Sequence, residues 1–111
     1  MPGDIVQRYG SASLRHVIEL CCLLWARPGC EDDLHAYEDQ VLVLVGRHGG
    51  EVLQRGFGGG TDGHPHEVQL FRFADQCALD GYLADPRRAE LSDERDRVVE
   101  RTDLFPVTLH H

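Results

Sequence analysis

One apolar run constrains the fold of this chain more than any other feature. Residues 16–26 read HVIELCCLLWA, and Glu19 is the one acidic residue inside the run. Because the apolar side chains occupy both alternating positions, the run is typical of a strand covered on both faces, in the middle of a sheet. It is too short to span a bilayer as a helix, which needs about 20 apolar residues.

The next segments alternate between helix and strand patterns. Residues 31–48 carry apolar side chains at three- and four-residue steps, begin with acidic residues and end before a glycine pair, which predicts a helix. Residues 51–57 and 66–73 are typical of two strands. The segment between them, 58–65, is rich in Gly, Asp and Pro and fits a long hairpin loop.

The last third of the chain predicts a divided helix and a final strand. Asp75 is a suitable N-cap for a helix that ends near residue 84, and Asp85 followed by proline restarts a helix. That second piece continues from 88 to about 101. Residues 102–109 then form a strand, and Pro106 favours a position at the sheet edge, because proline cannot donate to a ladder.

The resulting order, β-α-β-β-α-β, is that of an α+β, ferredoxin-like domain with a four-stranded antiparallel sheet and both helices on one face. We assign it to residues 15–111 and expect residues 1–14 to form a flexible arm. Because several strands are apolar at both parities, the face without helices also needs a cover. The sequence therefore predicts a homodimer packed sheet against sheet.

Charge and cysteine content limit the partners and the cell compartment that are expected for this domain. The formal net charge is −8, from 19 acidic residues and 11 basic ones, all of them arginine. This balance argues against partners such as nucleic acid and anionic membranes, which need basic surfaces. The four cysteines form no C-x-x-C pair and are expected to be free thiols, and no signal peptide is visible, so we predict a cytoplasmic protein.

Three segments carry a resemblance to a known group of proteins. They are YEDQVLVLVGRHGGEVL (37–53), EVQLFRFADQCALDGYLADPRRAEL (67–91) and TDLFPVTL (102–109). Together they resemble the dimeric α+β barrel superfamily, in particular its small stand-alone domains of the DUF1330 and antibiotic biosynthesis monooxygenase type. The resemblance implies a homodimer and a small-molecule pocket between helices and sheet. Members include cofactor-free oxygenases, polyketide cyclases, isomerases, haem degraders and proteins without known activity, so the fold leaves the function open.

Candidate catalytic residues lie on the inner face of the first predicted helix. Tyr37 and His48 share an azimuth but stand about 16 Å apart along the axis, so each would border a different end of a pocket. Histidine suits a general base near neutral pH, and tyrosine can hydrogen-bond a phenolate or an enolate. The alternative is a core tyrosine and a histidine that merely ends the helix.

Three further candidates lie on the strands. Arg72 and His66 share one parity of the third strand, so Arg72 would stabilise an anionic intermediate if that face meets the helices. If that face meets a partner sheet, Arg72 instead forms an ion pair across the dimer interface, for which Glu19 is a candidate partner. A buried, unpaired Glu19 would have a raised pKa and act as a base. We favour pairing.

Aromatic residues suggest how a substrate would be held. Trp25, Phe71 and Tyr82 are candidate substrate-binding residues, although each also suits the core or its rim. His64 and His66 lack a third ligand at recognisable spacing, so we predict no metal site and no cofactor.

The leading hypothesis is a small cofactor-independent oxygenase or cyclase that acts on an aromatic or polyketide-like metabolite of bacterial secondary metabolism. It would abstract a proton and let the resulting anion close a ring or react with oxygen. The first alternative is a dimer that binds a small hydrophobic molecule or serves as an accessory domain, without catalysis. The second is a haem-degrading protein, for which His35 or His48 together with Trp25 are the candidates.

Overall fold

The computed structural model describes residues 17–110, so the predicted arm at 1–14 lies outside the described part of the chain. The elements are β1 (Ile18–Ala26), α1 (Glu31–Val41), α2 (Val43–Arg47), β2 (Glu51–Phe57), β3 (Glu67–Phe73), α3 (Gln76–Leu83), α4 (Pro86–Glu90), α5 (Ser92–Val98) and β4 (Val99–Val107). A short 3-10 turn at Thr61–Gly63 lies in the hairpin loop. None of the helices in the described range is long and apolar enough to cross a membrane.

The four strands form one antiparallel sheet in the order β2-β3-β1-β4. The apolar run therefore lies between two neighbours, as its composition predicts, and its register pairs Leu20 with Phe71 and with Pro106. Pro106 lies on the edge strand β4, where its missing N–H breaks no ladder on the outer side. The ferredoxin-like fold expected from the sequence is confirmed.

The helices cover one face of the sheet, and side-chain parity decides which residues they bury. Alternate residues of β1 and β3 point to the helices and form the core with α1, α2 and α3. In β1 these are Leu20, Cys22 and Leu24, and in β3 Phe71 and Phe73, all buried. The same parity of β3 also carries Glu67 and Gln69, two polar residues that are fully buried.

Two predicted boundaries were wrong. The first helix divides at Leu42 rather than running unbroken to His48. The second helical region ends at Val98 rather than near residue 101, and β4 starts at Val99 instead of 102. Val99 is extended because it pairs with Ala26 beyond a bulge in β4, where Glu100 is the extra residue between the Trp25–Arg101 and Ala26–Val99 pairs. Burial of this pair outweighs the helical pattern of the charged residues before it.

Both predicted N-caps of the last helical region are formed. The Asp75 side chain accepts a hydrogen bond from the Ala78 N–H at the start of α3. The Asp85 side chain accepts one from the Arg87 N–H at the start of α4. These caps orient α3 and α4 over the sheet and thereby close one side of the interior.

The opposite face of the sheet carries no helix. It presents Cys21 and Leu23 from β1, Leu70 from β3 and Phe105 from β4, which are only partly buried or are exposed. These residues form an apolar patch beside the charged residues Glu19, Arg72 and Asp103 of the same face. Such a patch on a small domain is the property from which the sequence predicts a sheet-to-sheet partner.

Candidate functional site

A cavity of about 70 Å³ lies between the sheet and the helices. Gln69 and Phe71 of β3 form part of its floor, and Tyr37 and Glu38 of α1 form part of one wall. A larger cleft of about 450 Å³ opens beside it under α3, α4 and α5. The two spaces share four lining residues: Tyr37, Leu83, Arg88 and Arg95. A ligand that enters the outer cleft therefore meets these residues before it reaches the inner cavity.

Glu38 is a buried carboxyl group on the wall of the inner cavity. Its side chain is buried, and its carboxylate Oε1 accepts a hydrogen bond of 2.8 Å from Gln69 Nε2. Burial raises the pKa of Glu38 to about 7, while the Gln69 hydrogen bond opposes this rise. A carboxyl group with such a pKa exists in both protonation states near neutral pH, which suits a general base.

A second buried carboxylate lies directly behind Gln69. Glu67 accepts a hydrogen bond of 2.8 Å from the same Gln69 nitrogen, one of 2.7 Å from Arg55 Nε and one of 2.7 Å from His35 Nδ1. Arg55 also donates to Asp39 at the surface, at 2.6 Å. Glu67 therefore has charged partners that offset its burial, and Glu38 has a neutral amide.

Two phenols also line the inner cavity. Tyr37 and Tyr82 are both buried, and burial raises the pKa of each, that of Tyr82 to about 12. Both hydroxyls therefore stay protonated at neutral pH and can donate a hydrogen bond to an anionic oxygen. The structure brings these two residues together with Phe71, so three of the eight sequence-predicted site residues lie on the cavity.

Arg88 lies at the junction of the inner cavity and the outer cleft. Its guanidinium lies over the Tyr82 ring, 4.8 Å from the centroid, and Nη1 donates to the Leu83 carbonyl at 3.0 Å. Its Nε is buried and has no hydrogen-bond partner among the described residues. Within this part of the chain no carboxylate pairs with Arg88, whereas the neighbouring Arg87 pairs with Asp85 at 2.7 Å.

His48 lies away from the inner cavity. Its Nε2 donates a 2.7 Å hydrogen bond to Asp85, which also binds Arg87. The Arg87 guanidinium, together with the His48 hydrogen bond, holds the pKa of Asp85 well below its usual range. The histidine thus connects the end of α2 to the N-cap of α4. Its side chain does not line the inner cavity, so no contact there supports the catalytic role predicted from the sequence.

His66 and Trp25 lie together near the hairpin loop, at the far end of β1. His66 Nδ1 accepts the Ala26 N–H at 3.0 Å, and Trp25 Nε1 donates to the Gly63 carbonyl at 2.8 Å. Arg101 covers the Trp25 ring at 4.3 Å. A shallow pocket exists here, but it is separate from the one that contains Glu38.

Glu19 and Arg72 form an ion pair within one protomer, whereas the sequence analysis favoured a pair across a dimer interface. Their closest atoms, Arg72 Nη2 and Glu19 Oε2, are 3.0 Å apart, across the β1–β3 ladder of one protomer and on the face without helices. The question of which face Arg72 occupies is thereby answered: it does not face the cavity.

Glu38, Gln69 and Arg88 were missed as site residues by the sequence analysis. A usable signal existed for the first two, since Glu38 shares the inner face of α1 with Tyr37, and Gln69 shares the parity of Phe71. Polar residues at core positions are costly unless they are paired or functional. Arg88 gave no such signal, because it belongs to a segment in which most residues are charged.

Neither a metal cluster nor a disulfide is formed by the residues described. In the range 17–110 no group of three or more His, Cys, Asp or Glu side chains could hold a metal ion. The four cysteines, Cys21, Cys22, Cys30 and Cys77, are free thiols, as expected. Burial raises the pKa of Cys22 to about 12, so this cavity-lining thiol is not a nucleophile at neutral pH.

Comparison with known proteins supports the fold. No family model matches the chain, and no curated protein does either. Among solved structures, a protein of unknown function from Rhodopseudomonas palustris is 20% identical with a TM-score of 0.70, over 87% of this chain and 86% of that one. A candidate antibiotic biosynthesis monooxygenase from Bacteroides thetaiotaomicron is 17% identical with a TM-score of 0.66, over 85% and 90% of the two chains.

A further similar structure is SnoaB, a cofactor-independent oxygenase from Streptomyces nogalater. It is 13% identical with a TM-score of 0.62, and the match covers 85% of this chain and 95% of that chain. These likenesses confirm the ferredoxin-like architecture and the predicted resemblance in fold to antibiotic biosynthesis monooxygenases. At such identities they establish the architecture and leave the chemistry to be argued from the cavity.

Proposed function

We propose that this protein is a small cofactor-independent enzyme that removes a proton from an aromatic or polyketide-like compound. The observation that carries the proposal is Glu38, a buried carboxyl group on a cavity, with a pKa of about 7. A base with this pKa can take a proton from an acidic C–H or phenolic O–H at physiological pH and return it later.

The groups around Glu38 suit the anion that such a step produces. Tyr37 and Tyr82 supply neutral phenol donors to this anion. Phe71 and the aliphatic side chains around it exclude water and make these interactions stronger than in solution. The stabilised carbanion then reacts with dioxygen, as in an oxygenase, or attacks a carbonyl, as in a cyclase.

The fold of the two oxygenase-like structures makes oxygen chemistry the first reaction to test. Anthrone is a suitable probe, because its methylene group loses a proton to give a resonance-stabilised anion. Reaction of this anion with O2 yields anthraquinone and water. We expect oxygen uptake and anthraquinone formation with the wild-type protein, and rates at the buffer level with Glu38→Gln.

The proton-transfer step can be tested separately from the oxygen step. Under anaerobic conditions in D2O, the wild-type protein should speed deuterium incorporation at the anthrone methylene, and Glu38→Gln should not. Exchange without oxygen uptake would favour a cyclase or isomerase. If the protein accelerates neither process, the proposal is wrong, and saturable anthrone binding would then favour the binding-module alternative.

We also propose that the domain is a homodimer through the face without helices. The apolar residues Leu23, Leu70 and Phe105 on that face supply the area that a second copy would bury. The haem alternative has less support, because His35 is bonded to Glu67 and His48 to Asp85, and neither lines the inner cavity.

A further inference from the structure

The most unusual group outside the Glu38 network is the guanidinium of Arg88. A buried N–H without a hydrogen-bond partner is rare in folded proteins and costs stability, so it needs an explanation. Arg88 Nε is such a group, and it belongs to a residue that lines both the inner cavity and the outer cleft. An acceptor brought by a ligand would satisfy it.

The charges around Arg88 leave its positive charge available to a ligand. Asp85, the acidic residue on the cleft wall, is already bound by Arg87 and His48. The other cation of the shared mouth, Arg95, is exposed, and within residues 17–110 its one ion-pair contact is with Asp96, at 3.9 Å. A protein with net charge −8 therefore presents two arginines at the mouth of its cavity.

The geometry of a guanidinium selects the kind of acceptor. Arginine presents a planar set of N–H donors that matches a carboxylate in a paired hydrogen bond, and such charge-assisted bonds are stronger than neutral ones. The inner cavity, at about 70 Å³, is smaller than the roughly 150 Å³ of a cavity that binds benzene. An aromatic ring therefore fits the adjoining outer cleft of about 450 Å³, where the Tyr37 ring offers a flat contact.

We infer that the ligand of this site is an aromatic carboxylate, with its carboxylate bound by Arg88 and Arg95, its ring in the outer cleft and its reacting edge turned toward Glu38. The inference rests on the proposed function for the reacting end of the molecule, but the anion site itself does not need Glu38. It predicts that aromatic acids bind more tightly than neutral aromatics such as anthrone.

Calorimetric titration with 1-naphthoate and with its neutral isostere 1-naphthamide tests the anion site. We expect the wild-type protein to bind the carboxylate at least about tenfold more tightly than the amide, as one charge-assisted hydrogen bond provides. Arg88→Gln should remove this preference and leave the amide affinity unchanged. Arg47→Gln, an equal charge change on the exposed end of α2, should behave as the wild type.

Two further measurements keep the test decisive. If Arg88→Gln does not fold, rising salt in the wild type should weaken naphthoate binding but not naphthamide binding. Glu38→Gln should retain the preference for the carboxylate, so failure of the proposed proton transfer is distinguishable from failure of the anion site. Equal affinities for the two probes, or absence of binding of both at millimolar concentration, would overturn the inference.

Discussion

Gln69 Nε2 lies 2.8 Å from Glu38 Oε1, and the same nitrogen lies 2.8 Å from Glu67 Oε2. One neutral amide therefore joins two buried carboxyl groups. Among the described residues, Arg55 and His35 also hydrogen-bond to Glu67, whereas Glu38 is hydrogen-bonded by the Gln69 amide alone. This asymmetry separates their roles, because the group with fewer partners is the one that burial drives toward its protonated form.

The first prediction concerns stability and pH. The pKa of Glu38 rises from 4.5 to about 7 on folding. At pH values between these two, Glu38 is therefore mostly ionised in the unfolded chain and mostly protonated in the folded protein. As the pH rises from about 4.5 to above 7, the free energy of unfolding of the wild type should therefore fall by up to roughly 3 kcal/mol relative to that of Glu38→Gln. Urea unfolding at several pH values measures this, with Glu100→Gln as an exposed control. If the difference in unfolding free energy between the wild type and Glu38→Gln did not change with pH, the raised pKa of Glu38 would be contradicted.

The second prediction concerns the amide itself. Gln69→Leu removes the hydrogen bond that stabilises the ionised form of Glu38, so the pKa of Glu38 should rise further. The pH at which proton exchange is half-maximal should move upward by about one pH unit. Gln54→Leu, on the exposed part of β2, is the matched control. An unchanged pH profile in Gln69→Leu would show that another group is the base.

The third prediction separates the two roles of His48. If its hydrogen bond to Asp85 is structural, His48→Ala should lower the melting temperature by about 5 °C and leave the turnover of folded protein unchanged. Differential scanning calorimetry and the exchange assay measure the two effects. A large loss of turnover with little change in melting temperature would instead support the catalytic role predicted from the sequence.

The fourth prediction concerns the face without helices. Leu70→Asp places a charge at the centre of this face and should convert a dimer into a monomer in analytical ultracentrifugation. Val43→Asp, at a 59% exposed position on the helical side, should not. A monomeric wild-type protein at micromolar concentration would refute the dimer.

The fifth prediction tests one helix cap. Asp75→Ala removes the acceptor for the Ala78 N–H and should destabilise the domain by about 1 kcal/mol. Asp75→Asn, which keeps a side-chain acceptor, should cost much less in the same urea titration. Because α3 carries Tyr82 over the cavity, we expect Asp75→Ala to weaken ligand binding as well.

Most of the fold was predictable because it depends on local patterns. Alternation and apolar runs defined the strands, and the Gly49–Gly50 pair and Asp75 marked where helices end or begin. The error at Val99 has a physical cause in its pairing with Ala26, which lies 73 positions away in the chain. No local pattern contains that contact, so propensity alone placed the boundary too late.

The candidate site was less predictable, because its chemistry depends on which polar side chains the fold buries away from water and from charged partners. By itself, the sequence determined the element order, the central position of β1 and the inward face of α1 that carries Tyr37. Only the tertiary structure decided that Arg72 pairs with Glu19 away from the cavity, that His48 binds Asp85, and that Glu38 is a buried carboxyl group on the cavity with a raised pKa. The reason is that a pKa and a partner are set by neighbours in space, which periodicity in the chain does not encode.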